Sequence, residues 1–203
     1  MRFFTISIFA RIIYPGALFR IKTKDKVLCL TFDDGPDPDS TPELLDILQR
    51  HNIKAAFFCN GRAAELYPDL IRKIRMEGHV VGNHGYNHLN GWGTSLKDYC
   101  RDVDKAVPFT SGTLFRPPFG LLRINQYRKL RNTFKVVFWD VMPYDFDGDF
   151  EPARSLRILY KRIRPGSVIV LHDSQESASR IFLNEFLEGS VRKGYAFTCT
   201  GLQ

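Results

Sequence analysis

The sequence has no apolar run approaching the ~18–20 residues that cross a bilayer as a helix, which excludes an integral helical bundle. Cysteine is scarce: four residues, at 29, 59, 100 and 199, with no C-x-x-C pair and no zinc-knuckle spacing. That excludes a disulfide scaffold, and a chain of 203 residues buries enough core without one. Three of the four lie in apolar, strand-like runs, where cysteine behaves as a small hydrophobe, so reduced core thiols are expected. There is no low-complexity stretch, internal repeat or long linker. Hydrophobic and charged fractions of 44% and 25% are those of a globular chain, and the length fits one domain.

Basic residues exceed acidic ones by 29 to 22, a net charge of +7. No block of five basic residues and no nucleic-acid motif accompanies this excess. The cations are scattered over helical segments such as Arg72, Lys73 and Arg75, or Arg157, Lys161, Arg162 and Arg164. Solvated helix faces account for them, with attraction to an anionic glycan or membrane surface as the alternative; nucleic acid is not expected as a partner. Residues from Phe3 to Ala10 are mostly apolar, but Arg11 interrupts the run and no small-x-small cleavage site precedes Pro15-Gly16. Residues 1–26 are therefore expected to form an extension packed on the domain or touching a membrane surface. The domain proper is expected over 27–203, in a cytoplasmic or membrane-peripheral setting, with export as the alternative.

From residue 27 short β-rich runs alternate with amphipathic segments. Strands are predicted over 27–32, 54–59, 79–82, 113–115, 136–139, 167–171 and 195–199, several apolar throughout, as strands covered on both faces are. Helices are predicted between them. Thr41 as cap and Pro42 in the first turn open one to residue 50, and another over 61–77 is interrupted at Pro68 and ended by Gly78. After Thr94 and Ser95, a helical period puts Leu96, Tyr99, Cys100, Val103, Ala106 and Val107 on one face. Helices over 122–132, 152–163 and 178–193 complete a β-then-α order, which predicts a parallel sheet with outer helices, open or closed into a barrel.

In such folds functional groups collect at the carboxyl ends of strands. Found there are Asp33-Asp34-Gly35-Pro36, Asn60-Gly61, His84-x-x-x-His88, Arg116-Pro117-Pro118-Phe119-Gly120, Asp140 with Asp145, and Leu171-His172-Asp173. Adjacent strand residues face opposite ways, so one site uses both Asp33 and Asp34 only if the chain turns there; Gly35-Pro36 supplies the turn. With one carboxylate, His84 and His88 make a two-histidine, one-carboxylate ligand set suited to catalytic zinc or to non-haem iron. The prolines after Arg116 stiffen their loop and leave the Phe119 and Gly120 amides as donors. Arg116 itself reads as a functional group or as a structural partner of a carboxylate. His172 suits a general acid or base, or a structural hydrogen bond.

Together, Thr31-Phe32-Asp33-Asp34-Gly35-Pro36, His84-x-x-x-His88, Arg116-Pro117-Pro118-Phe119-Gly120, Asp145 and Leu171-His172-Asp173 resemble the five ordered motifs of the polysaccharide deacetylases. This is the NodB-homology group, carbohydrate esterase family four, and the resemblance runs from about residue 26 to the C-terminus. It implies an α/β fold, a distorted (β/α) barrel of about seven parallel strands. It also implies metal-dependent hydrolysis of an N-acetyl, or alternatively O-acetyl, group on a sugar, polysaccharide or glycan precursor. By motif position, Asp34, His84 and His88 would bind a divalent metal, with zinc preferred and cobalt, manganese or nickel as alternatives. Asp33 would be the base acting on the metal's water, held by Arg116, and His172 the acid, tuned by Asp145. The Phe119 amide would bind the oxyanion, and Leu171 and Trp139 would wall the pocket. Four positions depart from the pattern: Gly85 replaces a usual Ser or Thr, Phe119 a Tyr, Phe146 a Trp, and Met142 the first acid of the fourth motif. Asp140 is then an extra acid without an assigned role.

Three rivals explain less. A non-haem iron oxygenase shares the ligand trio but leaves Asp33 and His172 without tasks. A glycosidase built on paired carboxylates does not need the histidines. A carbohydrate-binding scaffold that had lost catalysis need not keep every catalytic position filled. The particular sugar and the oligomeric state are not legible.

Overall fold

A computed structural model describes residues 8–148 and 151–202, so the first part of the apolar run at Phe3 to Ala10 lies outside the described residues. Seven parallel strands form one sheet: β1 (Val27–Asp34), β2 (Ala56–Cys59), β3 (Val80–Asn83), β4 (Leu114–Phe115), β5 (Lys135–Val136), β6 (Val168–His172) and β7 (Ala196–Phe197). The order is β5-β4-β3-β2-β1-β6, with β7 pairing beside the start of β1. The strand predicted over 136–139 is cut short because the chain peels off after Val136. Val137 bridges Leu18 and Val141 bridges Ile169 of β6, so this segment curls the sheet shut between its two edges. The result is the distorted barrel.

Strand alternation sorts the side chains. Cys29, Ala56, Phe58, Leu114, Val137 and Val168 pack together inside the barrel. Leu28, Leu30, Phe32, Phe57, Ile169 and Leu171 face outward into a second core. That layer also takes the apolar stripes of α2 (Ser40–Arg50), α4 (Pro68–Met76), α7 (Pro152–Arg162) and α8 (Ser179–Arg192). A third cluster joins α5 (Leu96–Ala106) and α6 (Ile124–Leu130) to Phe115, Val136 and Phe138.

The N-terminal segment contributes to this last cluster. The Leu18 N–H donates to the Val136 carbonyl at 2.9 Å and the Leu18 carbonyl accepts from Phe138 N–H at 2.7 Å, while Phe19 stacks on Phe138 with centroids 4.8 Å apart. Burying one such phenyl ring contributes about 1.5–3 kcal/mol.

Helix α5 begins as expected, with the Ser95 hydroxyl accepting from Asp98 N–H at 3.1 Å. Helix α2 starts one residue before Thr41. Asp37 accepts the Asp39 and Ser40 amides at 2.9 and 2.8 Å, and the Thr41 hydroxyl donates instead to Asp173 at 2.6 Å. Three of the cysteines are buried and all four are free thiols, with the Cys29 and Cys199 sulfurs 3.6 Å apart.

Candidate active site

The alternation that fills the barrel also builds the site. Along β1 the inward positions run Cys29, Thr31, Asp33, so the strand delivers a carboxylate to the open end of the barrel. Asp34 would face the other way, but its backbone adopts φ +79°, a left-handed conformation that aspartate tolerates, and this turns its side chain toward the same opening. The turn therefore begins at Asp34 itself. Gly35 is required by close approach, since a Cβ there would overlap the Asp173 carboxylate. Asp173 is buried and takes hydrogen bonds from Ser40 at 2.5 Å and Thr41 at 2.6 Å, which pins the Asp33–Pro36 turn to α2. Burial raises the Asp173 pKa to about 7 against those two hydrogen bonds.

His84 follows β3 directly. Its Nδ1 lies 2.9 Å from the Arg116 carbonyl, which can only accept, so Nδ1 carries the proton and the Nε2 lone pair faces the opening. Burial lowers its pKa to about 4, against the pull of Asp33 and Asp34, so the imidazole is neutral at pH 7. The pair is not helical: Gly85 and His88 have φ of +75° and +56°, and the loop so formed brings the two rings to 5.0 Å. Asp34 Oδ1 lies 3.2 Å from His88 Nε2 and 3.6 Å from His84 Nε2. Burial opposes the charge of Asp34, but the hydrogen bond from His88 and the neighbouring imidazoles hold its pKa well below the usual carboxylate range.

Arg116 is wholly buried beneath this cluster. Its guanidinium donates to Asp33 Oδ1 at 2.5 Å, Thr31 Oγ1 at 2.7 Å, the Phe138 carbonyl at 3.1 Å and the Val137 carbonyl at 3.3 Å, with the Phe58 ring at 4.1 Å. Asp33 is thereby fixed through one oxygen, while Oδ2 lies on the side of His84, 3.9 Å from Nε2.

Opposite stands His172, the last residue of β6. Asp145 grips it twice, accepting from the His172 N–H at 2.7 Å and facing Nδ1 at 3.0 Å, and Asp145 is itself held by the Ser177 hydroxyl at 2.7 Å. Burial disfavours the imidazolium, but Asp145, and then Asp34 and Asp33, outweigh it and raise the pKa to about 9.

Asp33, Asp34, His84, His88 and His172 all line one cavity of about 520 Å³, whose walls include Phe119, Trp139 and Phe146. Two expectations are corrected here, and Asp140, left without a role, gains one. Leu171 does not line this cavity; by strand parity it faces the outer core, and Val170 takes the wall position. The Gly120 amide is already used, donating to the Pro117 carbonyl at 3.0 Å, whereas among the described residues the Phe119 N–H has no carbonyl partner. Asp140 is structural. At the far end of β6 it pairs with Arg164 at 2.7 and 3.0 Å and accepts from the Ser167 hydroxyl at 2.8 Å.

Residues 20–133, more than half the chain, match the family model described as polysaccharide deacetylase. The chain belongs to the polysaccharide deacetylase family. It is an enzyme of the carbohydrate-deacetylase class, which acts on the N-acetyl amide bonds of sugars. It is 36% identical over 154 residues to a peptidoglycan-N-acetylglucosamine deacetylase of Bacillus cereus, a match covering 72% of this chain and 56% of that relative. A peptidoglycan-N-acetylmuramic acid deacetylase of Bacillus subtilis is 27% identical over 89% of this chain and 72% of its own length. Among solved structures, the Bc1960 peptidoglycan N-acetylglucosamine deacetylase superposes with a TM-score of 0.86 at 30% identity, over 94% of this chain and 93% of that one.

Sequence reasoning missed Asp102 of this deacetylase. It is buried on α5, and its carboxylate accepts from Tyr86 N–H at 2.8 Å, Asn87 N–H at 3.1 Å and the Asn87 side-chain amide at 2.6 Å. It thus ties down the turn between the two histidines. A Cβ at Gly85 would come within 3.0 Å of its Oδ2, and the Gly85 amide donates to Asn83 Oδ1 at 2.8 Å. The available signal was an acid set three residues after Tyr99 on an otherwise apolar helix face. Asp102→Ala is expected to weaken divalent-ion binding ~10–100-fold, read by competition with a chromophoric chelator. Unchanged affinity would show that the loop holds itself.

Proposed function

We propose that the chain hydrolyses the N-acetyl amide of a sugar, with O-acetyl sugars as a second substrate type, using Asp33 as base and His172 as acid. What supports this reading is that Asp33, anchored by Arg116, and His172, anchored by Asp145, line one cavity beside the clustered side chains of Asp34, His84 and His88. The donors Asp34, His84 and His88 lie within 4.8 Å of one another, and mixed carboxylate and imidazole donors with a neutral, tautomer-fixed His84 suit a zinc-type ion. Cobalt, manganese or nickel fit the same set. Such an ion supplies Lewis acidity there, polarising a carbonyl oxygen and acidifying water.

The protein's own groups do the rest. Asp33 takes the proton of the attacking water on Oδ2, because Oδ1 is committed to Arg116. The Phe119 N–H donates to the oxyanion as it forms. With Nδ1–H on Asp145, His172 presents Nε2–H and gives that proton to the departing nitrogen. The substrate class is an N-acetylated glycan, of the kind named for the relatives above.

The test is acetate release by the metal-loaded protein from N-acetylglucosamine oligosaccharides, glycan precursors and acetylated xylan. N-acetylated glycans are expected to release acetate. Chelation should lower the rate at least ~10-fold, and added zinc or cobalt should restore it. Full activity without metal removes the ion from the reading. Absence of acetate from every N-acetylated glycan removes the deacetylase.

A further inference from the structure

Much of the chain's positive charge is collected at one end of the barrel by the fold itself. Because the strands are parallel, each helix between them runs back the other way and ends where the next strand begins. The cavity lies at the opposite end, where β1 and β6 deliver Asp33 and His172. Helices α2, α4, α5, α6, α7 and α8 all carry a cation in the last turn, from Arg50 in α2 to Arg192 in α8, and Asp104 is the one acid among those turns. Each cation favours its own helix dipole, and the parallel arrangement adds them up on one surface. Lys26, Lys54 and Lys193 stand exposed near strand starts, and the segment leading into β1 adds Arg20, Lys22 and Lys24. Asp25 and Glu77 offset part of this charge.

An apolar helix borders the same end. In α1 (Ile8–Ile13), Arg11 reaches Asp140 at 3.8 Å, beside Arg164, and lines a groove with Arg20. Ala10, and Tyr14 just after the helix, pack inward, Tyr14 stacking on Phe138 with centroids 5.1 Å apart. Phe9, Ile12 and Ile13, spaced i, i+3 and i+4, share the other face and are 69%, 72% and 46% exposed. Apolar side chains turned to solvent beside a basic surface match the boundary between headgroups and acyl chains of an anionic bilayer. The side chains enter the apolar layer while the cations meet lipid phosphates. A soluble polyanion would match the charge and leave Phe9, Ile12 and Ile13 in water. A second copy of the chain would bring one basic surface against another. Among the described residues no helix is long and apolar enough to cross a membrane, so the contact is with its surface.

We propose that the chain docks by this end on an anionic lipid surface, with its cavity turned away from the bilayer. The inference is independent of the reaction at the cavity.

The test is flotation of the full chain with phosphatidylcholine vesicles, with and without phosphatidylglycerol. Partition should be at least ~10-fold stronger with the anionic lipid, and should fall as ionic strength rises. Ile12→Ser should weaken it at least ~5-fold by removing apolar area that the lipid covers. Lys22→Glu combined with Lys24→Glu should weaken it by a similar ~5-fold through charge alone. These side chains are exposed, so both variants should melt at the wild-type temperature. Brominated acyl chains report the orientation. Phe9→Trp should add an emission that they quench. The wild type should not be quenched, since its two tryptophans are Trp92, on the loop after His88, and Trp139, in the cavity wall. Equal partition on the two vesicles, no partition on either, or a partition that Ile12→Ser leaves unmoved overturns the inference. Quenching of the wild-type tryptophans overturns the orientation. Tight binding to dextran sulfate without vesicle partition assigns the basic end to a soluble polyanion instead.

Discussion

Asp33→Asn is expected to cut kcat by ~10²–10⁴-fold while leaving divalent-ion affinity close to that of the wild type. The asparagine fits the same space, but Arg116 decides how it sits. The guanidinium can only donate, so the amide oxygen must take the position of Oδ1 at 2.5 Å, which leaves the amide NH2 on the side of His84. A group that donates then stands where a proton must be accepted. Asp34, His84 and His88 are untouched, and Asp34→Asn is the contrasting variant that should lose the ion as well as turnover. Ion content and single-turnover acetate release, measured on both variants, separate the two roles. Equal ion loss in both would make Asp33 a ligand and leave the base unassigned.

His172→Ala should remove a comparable ~10²–10⁴-fold from hydrolysis of an N-acetyl substrate, and far less from an aryl ester. An expelled amine must be protonated, whereas a low-pKa phenolate leaves unaided. The pH dependence follows from the same residue. Its pKa of about 9 in the ion-free protein means that the acid is loaded at neutral pH and is lost as pH rises through that value. A divalent ion offsets the pull of Asp34 and Asp33, so in the loaded enzyme the alkaline limb of the kcat profile should fall below 9. Asp145→Asn should shift that limb further down, because the main groups raising the pKa are the charge of Asp145 and its hydrogen bond. Equal damage by His172→Ala to amide and aryl ester would reduce the histidine to a wall of the cavity.

Most strand and helix positions were legible because each is a short periodic run bounded by strong punctuation, as where Pro68 divides α3 (Gly61–Leu66) from α4. The motif residues were legible because they sit where strands end. What failed was local geometry that periodicity does not encode. The 136–139 run reads as a continuous strand, yet Val137 and Val141 serve two different neighbours. Leu171 reads as adjacent to the site because it precedes His172, but neighbours in a strand face opposite ways, and strand parity alone assigns the wall to Val170. Free amides were expected after the double proline. The tight turn there spends the Gly120 amide and spares that of Phe119, whose φ is +59°. Asp102 shows in the sequence only as an acid on an otherwise apolar helix face, and Ser177 only as a serine in the loop after His172, so neither reveals which turn or carboxylate it holds.

Arg116 holds both halves of the site by different means: its side chain fixes Asp33, and its main-chain carbonyl sets the tautomer of His84. The first role is written in the codon and the second is not, since any residue at this position would present a carbonyl. Mutation at this codon can therefore loosen Asp33 without disturbing the tautomer of His84. The two inheritances are unequally exposed to drift. On the reading proposed above, a lineage losing the guanidinium would keep the Asp34, His84 and His88 cluster and the cavity but lose the anchored carboxylate, and so would drift from cutting a sugar toward holding one.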